Sequence, residues 1–159
     1  DRYAGLITND FANGTGTCVS FWVQGCPHHC PGCHNPETWD FQEDRFYNDI
    51  RGQIIKAICA NDIIRNFSVL GGEPLCEENL DEVDKIITGV RSALPHIKIF
   101  LWTGYILEEL QKKNDKKINH ILSQIDVLID GPFIEAERDI TLELRGSKNQ
   151  RVLYRGVDF

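Results

Sequence analysis

Apolar residues along this chain follow two spacings, the short continuous runs typical of buried strands and the three-to-four-residue spacing typical of helices. The apolar runs predict strands at residues 3–8, 18–23, 67–70, 97–102, 126–130 and 151–154. The helical spacing predicts helices at 79–93, 106–112 and 117–124. A further helix, capped by Asn48 or Asp49, is predicted to carry Ile50, Ile54, Ile55 and Ile58 on one face.

Strands that alternate with helices of this length imply right-handed β–α–β units and a parallel sheet. A complete barrel of eight such units needs about 250 residues, whereas this chain has 159. We therefore expect an α/β fold in which residues 1–159 form a single domain with an open, curved and mostly parallel sheet.

The composition is that of a globular protein, with 42% hydrophobic and 26% charged residues. No run approaches the ~20 apolar residues of a membrane span, so we expect no membrane association. The first ten residues lack the apolar core of a secretion signal, which favours a cytoplasmic location. The net charge of -7 argues against a nucleic-acid-binding surface.

Three of the six cysteines lie in one Pro- and Gly-rich stretch, GCPHHCPGCHN, at residues 25–35. Cys26, Cys30 and Cys33 have a C-x3-C-x2-C spacing, and such a loop can fold back so that three thiolates converge on one metal centre. Iron–sulfur clusters are bound by cysteine thiolates and normally take four. A loop that supplies three leaves one iron free for a substrate or cofactor. In this spacing the loop resembles that of radical S-adenosylmethionine (SAM) enzymes.

Other interpretations of the cysteines remain open from the loop alone. A structural zinc site could use the three cysteines with His28, His29 or His34 as the fourth ligand. Zinc sites usually pair cysteines in two separated knuckles, however, and no second knuckle follows. A disulfide framework is typical of smaller secreted proteins. A redox pair formed by the last two cysteines would leave the first without a role.

Four unusual loops each follow a predicted strand, namely the cysteine loop and residues 71–74, 103–105 and 130–132. In a parallel sheet these loops lie along the C-terminal edge, where α/β proteins bind their ligands. In the second loop, GGEP, Gly71 and Gly72 let the backbone pass close to a ligand. Glu73 can accept a hydrogen bond from an ammonium group. Taken alone, GGEP is also explained by a plain strand-ending turn.

Six segments, in order, resemble the radical SAM glycyl-radical activase family that serves the anaerobic ribonucleoside-triphosphate reductase. They are GTGT at 14–17, the cysteine loop, GGEP, LWTGY at 101–105, DVLIDGPF at 126–133 and RGSKNQR at 145–151. LWTGY and RGSKNQR are specific to this group. Gly32 departs from the wider superfamily, in which an aromatic residue usually precedes the third cysteine, but CPGC is usual in this family. The resemblance implies a partial, open radical SAM βα barrel.

The resemblance also implies roles for individual residues. Cys26, Cys30 and Cys33 would bind a [4Fe–4S] cluster whose fourth iron chelates SAM. The implied SAM contacts are Gly71, Gly72, Glu73 and Pro74 near the ammonium group, Gly32, Cys33 and His34 near the adenosyl part, and Thr103 at the ribose.

The activity implied by the resemblance is reductive cleavage of SAM, which generates a glycyl radical on the anaerobic ribonucleoside-triphosphate reductase. The implied partners are that reductase and a low-potential electron donor such as flavodoxin or ferredoxin. Three alternatives remain: an activase for another glycyl-radical enzyme, a short radical SAM enzyme acting on a small molecule, and a zinc-stabilised α/β adaptor.

Two further groups of residues are interpreted as mainly structural. The cysteines outside the loop, Cys18, Cys59 and Cys76, are interpreted as buried or incidental thiols, and Cys76 is the one nearest the predicted edge. Four basic residues near the C-terminus form a patch that is either solvated or a partner contact, namely Arg145, Lys148, Arg151 and Arg155.

Overall fold

Six strands form one sheet in the computed structural model, which describes residues 3–33, 35–41 and 50–159. Strands β2 to β5 run parallel to one another, whereas the edge strands β1 and β6 are antiparallel to their neighbours. Within the described residues no pairing joins β1 to β6, so the sheet is open. The prediction of an α/β fold with an open, mostly parallel sheet is therefore confirmed. The strands are paired in chain order, as β1 (Gly5–Asp10), β2 (Cys18–Val23), β3 (Asn66–Gly71), β4 (Ile99–Trp102), β5 (Val127–Asp130) and β6 (Arg151–Tyr154).

Helices occupy each connection between parallel strands, as such crossovers require. They are α1 (Ile50–Ile58), α2 (Glu77–Ala93), α3 (Leu107–Lys113) and α4 (Lys116–Gln124). The start predicted for the first helix, at residue 48 or 49, lies outside the described residues. Helix α2 begins two residues before its predicted start, because Glu77 and Glu78 suit the first turn of a helix although they interrupt the apolar pattern. In the described ranges, no helix combines the length and apolar character that crossing a membrane requires.

The two edge strands are antiparallel because their connections contain no α-helix. Residues 11–17 join β1 to β2, a connection too short for the crossover that parallel strands need. Residues 131–150 join β5 to β6 with only the short 3-10 helix Glu135–Glu137. Strand β1 begins two residues later than predicted and extends to Asp10, which pairs with Cys18 after a register shift.

The two faces of the sheet bury different side chains, because successive residues of a strand point to opposite faces. One face packs against the helices and forms the large core, which includes Phe21, Phe67, Val69, Leu101 and Leu128. The other face carries a smaller apolar cluster, in which Phe100, Val127 and Ile129 pack with Trp102, Leu144 and Val152. The second face therefore packs against Leu144, in the segment before β6, and not against the helices.

Hydrogen bonds from buried polar side chains hold the loop between β1 and β2 in position. Ser68 donates a hydrogen bond of 2.5 Å to the carbonyl oxygen of Asn13. Asp10, which is 8% exposed, accepts hydrogen bonds from the Ala12 N–H and from the side chains of Asn13 and Ser20. Burial opposes ionisation, yet these hydrogen bonds hold the pKa of Asp10 below its ordinary value of 3.8. Asp10 therefore fixes the position of this loop.

Asp10→Asn should lower the free energy of unfolding at neutral pH by about 1–3 kcal/mol, because the new amide cannot accept every hydrogen bond that the carboxylate accepts. The loss should shrink as the pH falls below 3.8. The folded state depresses the pKa of Asp10, so its stabilising contribution is present above that pH and disappears when the native carboxyl is protonated. Urea unfolding of the variant and the parent, from neutral to acidic pH, measures the difference.

The control for this experiment is Asp62→Asn, which removes the same charge at an exposed position. It should change the stability by less than about 0.5 kcal/mol at every pH. A difference between Asp10→Asn and the parent that stays constant across the pH range would contradict the prediction.

Candidate active site

The loops that follow β2, β3, β4 and β5 meet at the C-terminal edge of the parallel strands, where the sequence predicted them. They line a cavity of about 440 Å³, which is within the usual range for small-molecule sites. The segment before β6 supplies a further wall, which includes Leu142, Leu144, Arg145 and Gln150. The loop residues on the wall include Cys26, Cys30, Cys33, Gly71, Gly72, Glu73, Thr103 and Gly104.

The carboxylate of Glu73 is 1% exposed and lies where three of these loops meet. Its Oε2 accepts hydrogen bonds from the Leu75 N–H at 2.9 Å and from the Thr103 hydroxyl at 2.8 Å. Its Oε1 accepts from the Gly104 N–H at 2.7 Å and lies 2.7 Å from Nε2 of His28. Because a carboxylate only accepts, Nε2 of His28 carries the proton in this contact. Four donors thus converge on one buried carboxylate, so GGEP is more than a strand-ending turn.

His28 joins the cysteine loop to the loops that follow β3 and β4. It lies between Cys26 and Cys30 in the sequence, and its ring contacts that of Tyr105 edge-on, with centroids 4.6 Å apart. A Cβ at Gly104 would lie 2.6 Å from the imidazole ring, so glycine is needed there to leave room for it. These contacts therefore fix the position of the imidazole. They also fix the position of the middle of the cysteine loop, to which His28 belongs.

The backbone of the cysteine loop runs directly against GGEP. The Gly72 N–H donates to the Val23 carbonyl oxygen at 2.7 Å, and the Glu73 N–H donates to that of Gly25 at 2.8 Å. The side-chain amide of Asn79, in the first turn of α2, donates to the carbonyl oxygens of both Gly25 and Glu73. A Cβ at Gly72 would lie 2.3 Å from the Gly25 oxygen, so this close approach requires a glycine.

The three cysteines of the loop are free thiols on the cavity wall. The Cys33 N–H donates to the Cys30 carbonyl oxygen at 3.1 Å, which forms a turn. The sulfur of Cys33 accepts a hydrogen bond of 3.4 Å from the Asn35 N–H. Burial, helped by the charge of Glu73, raises the pKa of the Cys26 thiol to about 11.

Three thiols on the wall of one cavity fit a four-iron cluster. Among the described residues, no three side chains of His, Cys, Asp or Glu are gathered tightly enough to hold a single metal ion. The thiolates of a cluster are each bonded to a different iron, so a cluster does not require that arrangement. The wall also includes Trp22 and Trp39, whose buried indole N–H groups have no hydrogen-bond partner among the described residues.

The other cysteines are not among the residues that line the cavity. Cys18 and Cys76 are buried, as predicted, and Cys59 is partly buried. The Cys76 thiol donates to the carbonyl oxygen of Glu73 and accepts from the amide of Asn79. Burial raises the pKa of Cys76 to about 12, so this residue remains a protonated thiol at neutral pH and is a poor nucleophile.

The structure gathers some of the predicted SAM contacts at the cavity and not others. Gly32 and Pro74 are not among the lining residues, and His34 lies outside the described residues. The oxygens of Glu73 already accept four internal hydrogen bonds, a structural role in addition to the predicted one. Contact of these residues with SAM stays a prediction. The predicted contacts that do line the cavity are Cys33, Gly71, Gly72, Glu73 and Thr103.

Three residues at the site make contacts that sequence reasoning missed. The sequence alone suggests His28 only as an alternative zinc ligand and Asn79 only as the first residue of a helix. It suggests Arg145 only as part of a basic patch. A signal for Asn79 does exist, because it falls on the apolar face of α2 in line with Val83 and Ile86. A polar side chain in that position needs a partner. The partners of His28 come from loops distant in sequence, which leaves no local signal.

Comparison with known proteins connects this site to one family. The sequence matches the family model described as "4Fe-4S single cluster domain" over residues 12–153. An "Anaerobic ribonucleoside-triphosphate reductase-activating protein" of Vibrio cholerae is 39% identical over 150 residues, which cover 89% of this chain and 90% of that protein. Proteins of the same name are 35% identical over 152 residues in Escherichia coli, covering 90% and 92%, and 37% identical over 151 residues in Haemophilus influenzae, covering 94% and 95%.

Fold, cysteine loop and family model together define an α/β protein with a 4Fe-4S single cluster domain. This class favours the iron–sulfur interpretation of the cysteine loop over the zinc, disulfide and dithiol alternatives. Within it, the chain belongs to the family of anaerobic ribonucleoside-triphosphate reductase-activating proteins. The resemblance inferred from the six sequence segments is thereby confirmed.

His28→Ala should loosen the cysteine loop, because Glu73 loses one of its four donors and the loop loses its contact with GGEP. A hydrogen bond to a charged group is worth about 1.5–3 kcal/mol, so the free energy of unfolding should fall by about that amount. We also expect faster backbone hydrogen exchange in residues 25–33 and 103–105, measured by mass spectrometry. His28→Gln should restore most of the protection, since its amide N–H can replace that of Nε2.

The matched control is His29→Ala, in the neighbouring exposed histidine, which stacks on Trp39 instead. It should leave hydrogen exchange in residues 103–105 near that of the parent. Equal exchange in the two alanine variants would show that the contact with Glu73 does not hold the loops together.

Proposed function

We propose that this chain is a radical SAM activating enzyme that generates a glycyl radical on the anaerobic ribonucleoside-triphosphate reductase. One observation carries the proposal: the three cysteines of the C-x3-C-x2-C loop line the same cavity as GGEP and the loop after β4. A cluster-binding loop and a small-molecule cavity thus share one edge of the sheet, in a chain of the reductase-activating family.

In this proposal, Cys26, Cys30 and Cys33 bind a [4Fe–4S] cluster, and SAM binds beside it. When bound, the cluster and SAM supply the reductive cleavage of a C–S bond and the radical that removes a hydrogen atom. The chain holds and orients these groups. The hydrogen bonds of Glu73 keep the cysteine loop against GGEP, and the Asn35 N–H donates a hydrogen bond to the sulfur of Cys33.

The cavity walls suit a ligand that has both polar and aromatic parts. Trp22 and Trp102 supply aromatic surface, and Asn35 and Thr103 are among the polar residues of the wall. The open sheet is proposed to be a partial radical SAM βα barrel. The proposed SAM contacts are those that the resemblance implies, namely Gly32, Cys33, His34, Gly71, Gly72, Glu73, Pro74 and Thr103.

The protein substrate is proposed to be the reductase that the relatives' names identify. A glycine suits the reaction because its α-hydrogen is unhindered and the resulting radical is delocalised over the flanking amides. An open sheet cannot enclose a reactive intermediate alone, so a loop of the large partner would complete the enclosure. The electron would come from a low-potential donor such as flavodoxin or ferredoxin, and we expect these partners in the cytoplasm.

Alanine at each cysteine of the cavity should prevent retention of a four-iron cluster after anaerobic reconstitution, because each change removes a thiolate ligand. The variants are Cys26→Ala, Cys30→Ala and Cys33→Ala. Iron and sulfide per chain are the measured quantities. The matched controls Cys18→Ala, Cys59→Ala and Cys76→Ala should retain the iron content of the parent. Loss of the cluster in a control variant that is still folded would show that the ligand set is wrong.

The protein, reduced and supplied with SAM, should generate a stable glycyl radical on the anaerobic ribonucleoside-triphosphate reductase. The expected electron paramagnetic resonance signal is a doublet, whose splitting should collapse when the partner's glycine is deuterated at the α-carbon. The activase assignment fails if SAM is cleaved without a radical on the reductase and a small molecule is turned over instead.

A further inference from the structure

Two indole N–H groups on the cavity wall, those of Trp22 and Trp39, are buried and have no hydrogen-bond partner in the part of the chain that the structure describes. The third tryptophan, Trp102, donates its indole N–H to the Leu144 carbonyl oxygen at 2.7 Å. Buried N–H groups usually meet an acceptor. An unpaired one on a cavity wall therefore indicates an acceptor that the chain itself does not supply, and the surroundings of each indole indicate which acceptor that is.

The backbone around Trp39 is held against the start of the cysteine loop. The Cys26 N–H donates to the Trp39 carbonyl oxygen at 3.2 Å. The buried side-chain amide of Gln24 donates to the carbonyl oxygens of Glu37 and Asp40, at 3.2 and 2.6 Å, one on each side of Trp39 in the sequence. The peptide that carries the indole is therefore fixed directly beside the first cysteine of the loop.

The indole ring of Trp39 is fixed against the middle of the same loop. It stacks on the imidazole of His29, with ring centroids 4.6 Å apart and an angle of 10° between the ring planes. His29 immediately precedes Cys30, and its φ of 47° is a left-handed backbone conformation that turns the chain at this point. Trp39 is thus attached to the cysteine loop at two places, through its backbone at Cys26 and through its ring beside Cys30.

Trp22 has different surroundings, although it lines the same cavity. It lies in β2, where it is paired with Gly5 of β1 and Leu70 of β3. None of the ring contacts found among the described residues includes Trp22. The two indoles therefore present the same unpaired group, but within the described residues the ring of Trp39 is the one that contacts the cysteine loop.

A cluster bound by the cysteine loop would supply an acceptor at this wall, because the sulfurs of such a cluster carry negative charge. Hydrogen bonds to these sulfurs are among the factors that set the reduction potential of iron–sulfur clusters. The cause is electrostatic. An N–H group directed at a sulfur stabilises the reduced cluster more than the oxidised one, since the reduced cluster carries one more negative charge.

We propose that the indole N–H of Trp39 donates a hydrogen bond to a sulfur of the cluster and thereby raises the reduction potential of the cluster. This inference rests on the cluster-binding part of the proposed function. The contact forms no covalent bond and transfers no electron. It makes the cluster easier to reduce by the electron donor and a weaker reductant towards SAM, so Trp39 sets the balance between these two steps.

The first test measures the midpoint potential of the anaerobically reconstituted parent and of Trp39→Phe, which removes the N–H but keeps an aromatic face for His29. A potentiometric titration is followed by the electron paramagnetic resonance signal of the reduced cluster. At a fixed potential, the ratio of reduced to oxidised cluster should fall about three- to tenfold in the variant, as expected for the loss of one hydrogen bond. A tenfold change corresponds to a shift of about 59 mV to more negative potential for one electron.

The matched control is Trp22→Phe, which makes the same substitution at the other unpaired indole of the cavity wall. Its midpoint potential should stay that of the parent, and so should that of Trp102→Phe, whose indole N–H already has an acceptor. An equal shift in Trp22→Phe and Trp39→Phe would overturn the proposal, because the effect would then not depend on contact with the cysteine loop.

A second measurement decides the question even if Trp39→Phe does not retain the cluster. The parent is isotope-labelled at its indole nitrogens and reduced without SAM, and pulsed electron paramagnetic resonance measures the coupling between these nitrogens and the electron spin of the cluster. We expect a coupling in the parent. It should persist when Trp22→Phe and Trp102→Phe are combined, since Trp39 is then the one remaining tryptophan.

The proposal is overturned if the cluster-loaded parent shows no such coupling, or if Trp39→Phe retains its iron and the potential of the parent. A coupling that appears only after SAM is added would assign the N–H to SAM and would also overturn it. A parent that retains no four-iron cluster would refute the proposed function itself, and its iron and sulfide content shows this before either measurement.

Discussion

The buried carboxylate of Glu73 is the constraint on which the rest of the site depends. A carboxylate removed from water is unfavourable unless donors replace its hydration. Here the donors are the imidazole of His28, the Thr103 hydroxyl and two backbone N–H groups, and they come from three separate loops. Each loop is needed to satisfy the charge. The cysteine loop, GGEP and the loop after β4 are therefore positioned as one unit.

A second buried carboxylate organises the other end of the same edge. Asp130 is fully buried and accepts hydrogen bonds from the Leu107 N–H and from Arg151. The carboxylates of Asp130 and Glu108 raise the pKa of Arg151, because both accept hydrogen bonds from its guanidinium group. This network ties α3, β5 and β6 together. It explains why Arg151 belongs to the fold, whereas Arg145, in the same sequence segment, is free to face the cavity.

Much of the fold follows from local pattern. Apolar runs such as 18–23 and the helical spacing of Val83, Ile86 and Val90 predict their elements because burial requires those periodicities. The antiparallel direction of β1 and β6 follows from connections without an α-helix. The boundaries were less predictable: α2 begins at Glu77 because helix polarity favours acidic residues in its first turn, and periodicity does not record that preference.

For the site, the sequence alone determined the cysteine spacing and the family, since both are carried by residues adjacent in the chain. The alternation of strands and helices also determined that GGEP and the cysteine loop share an edge, because parallel strands place their ends together. Only the tertiary structure decided the partners within that edge. That Glu73 receives a proton donor from His28, and that Arg145 rather than Arg151 faces the cavity, depend on contacts between distant segments. Such contacts are chosen by packing and by the satisfaction of buried charge, neither of which a local pattern encodes.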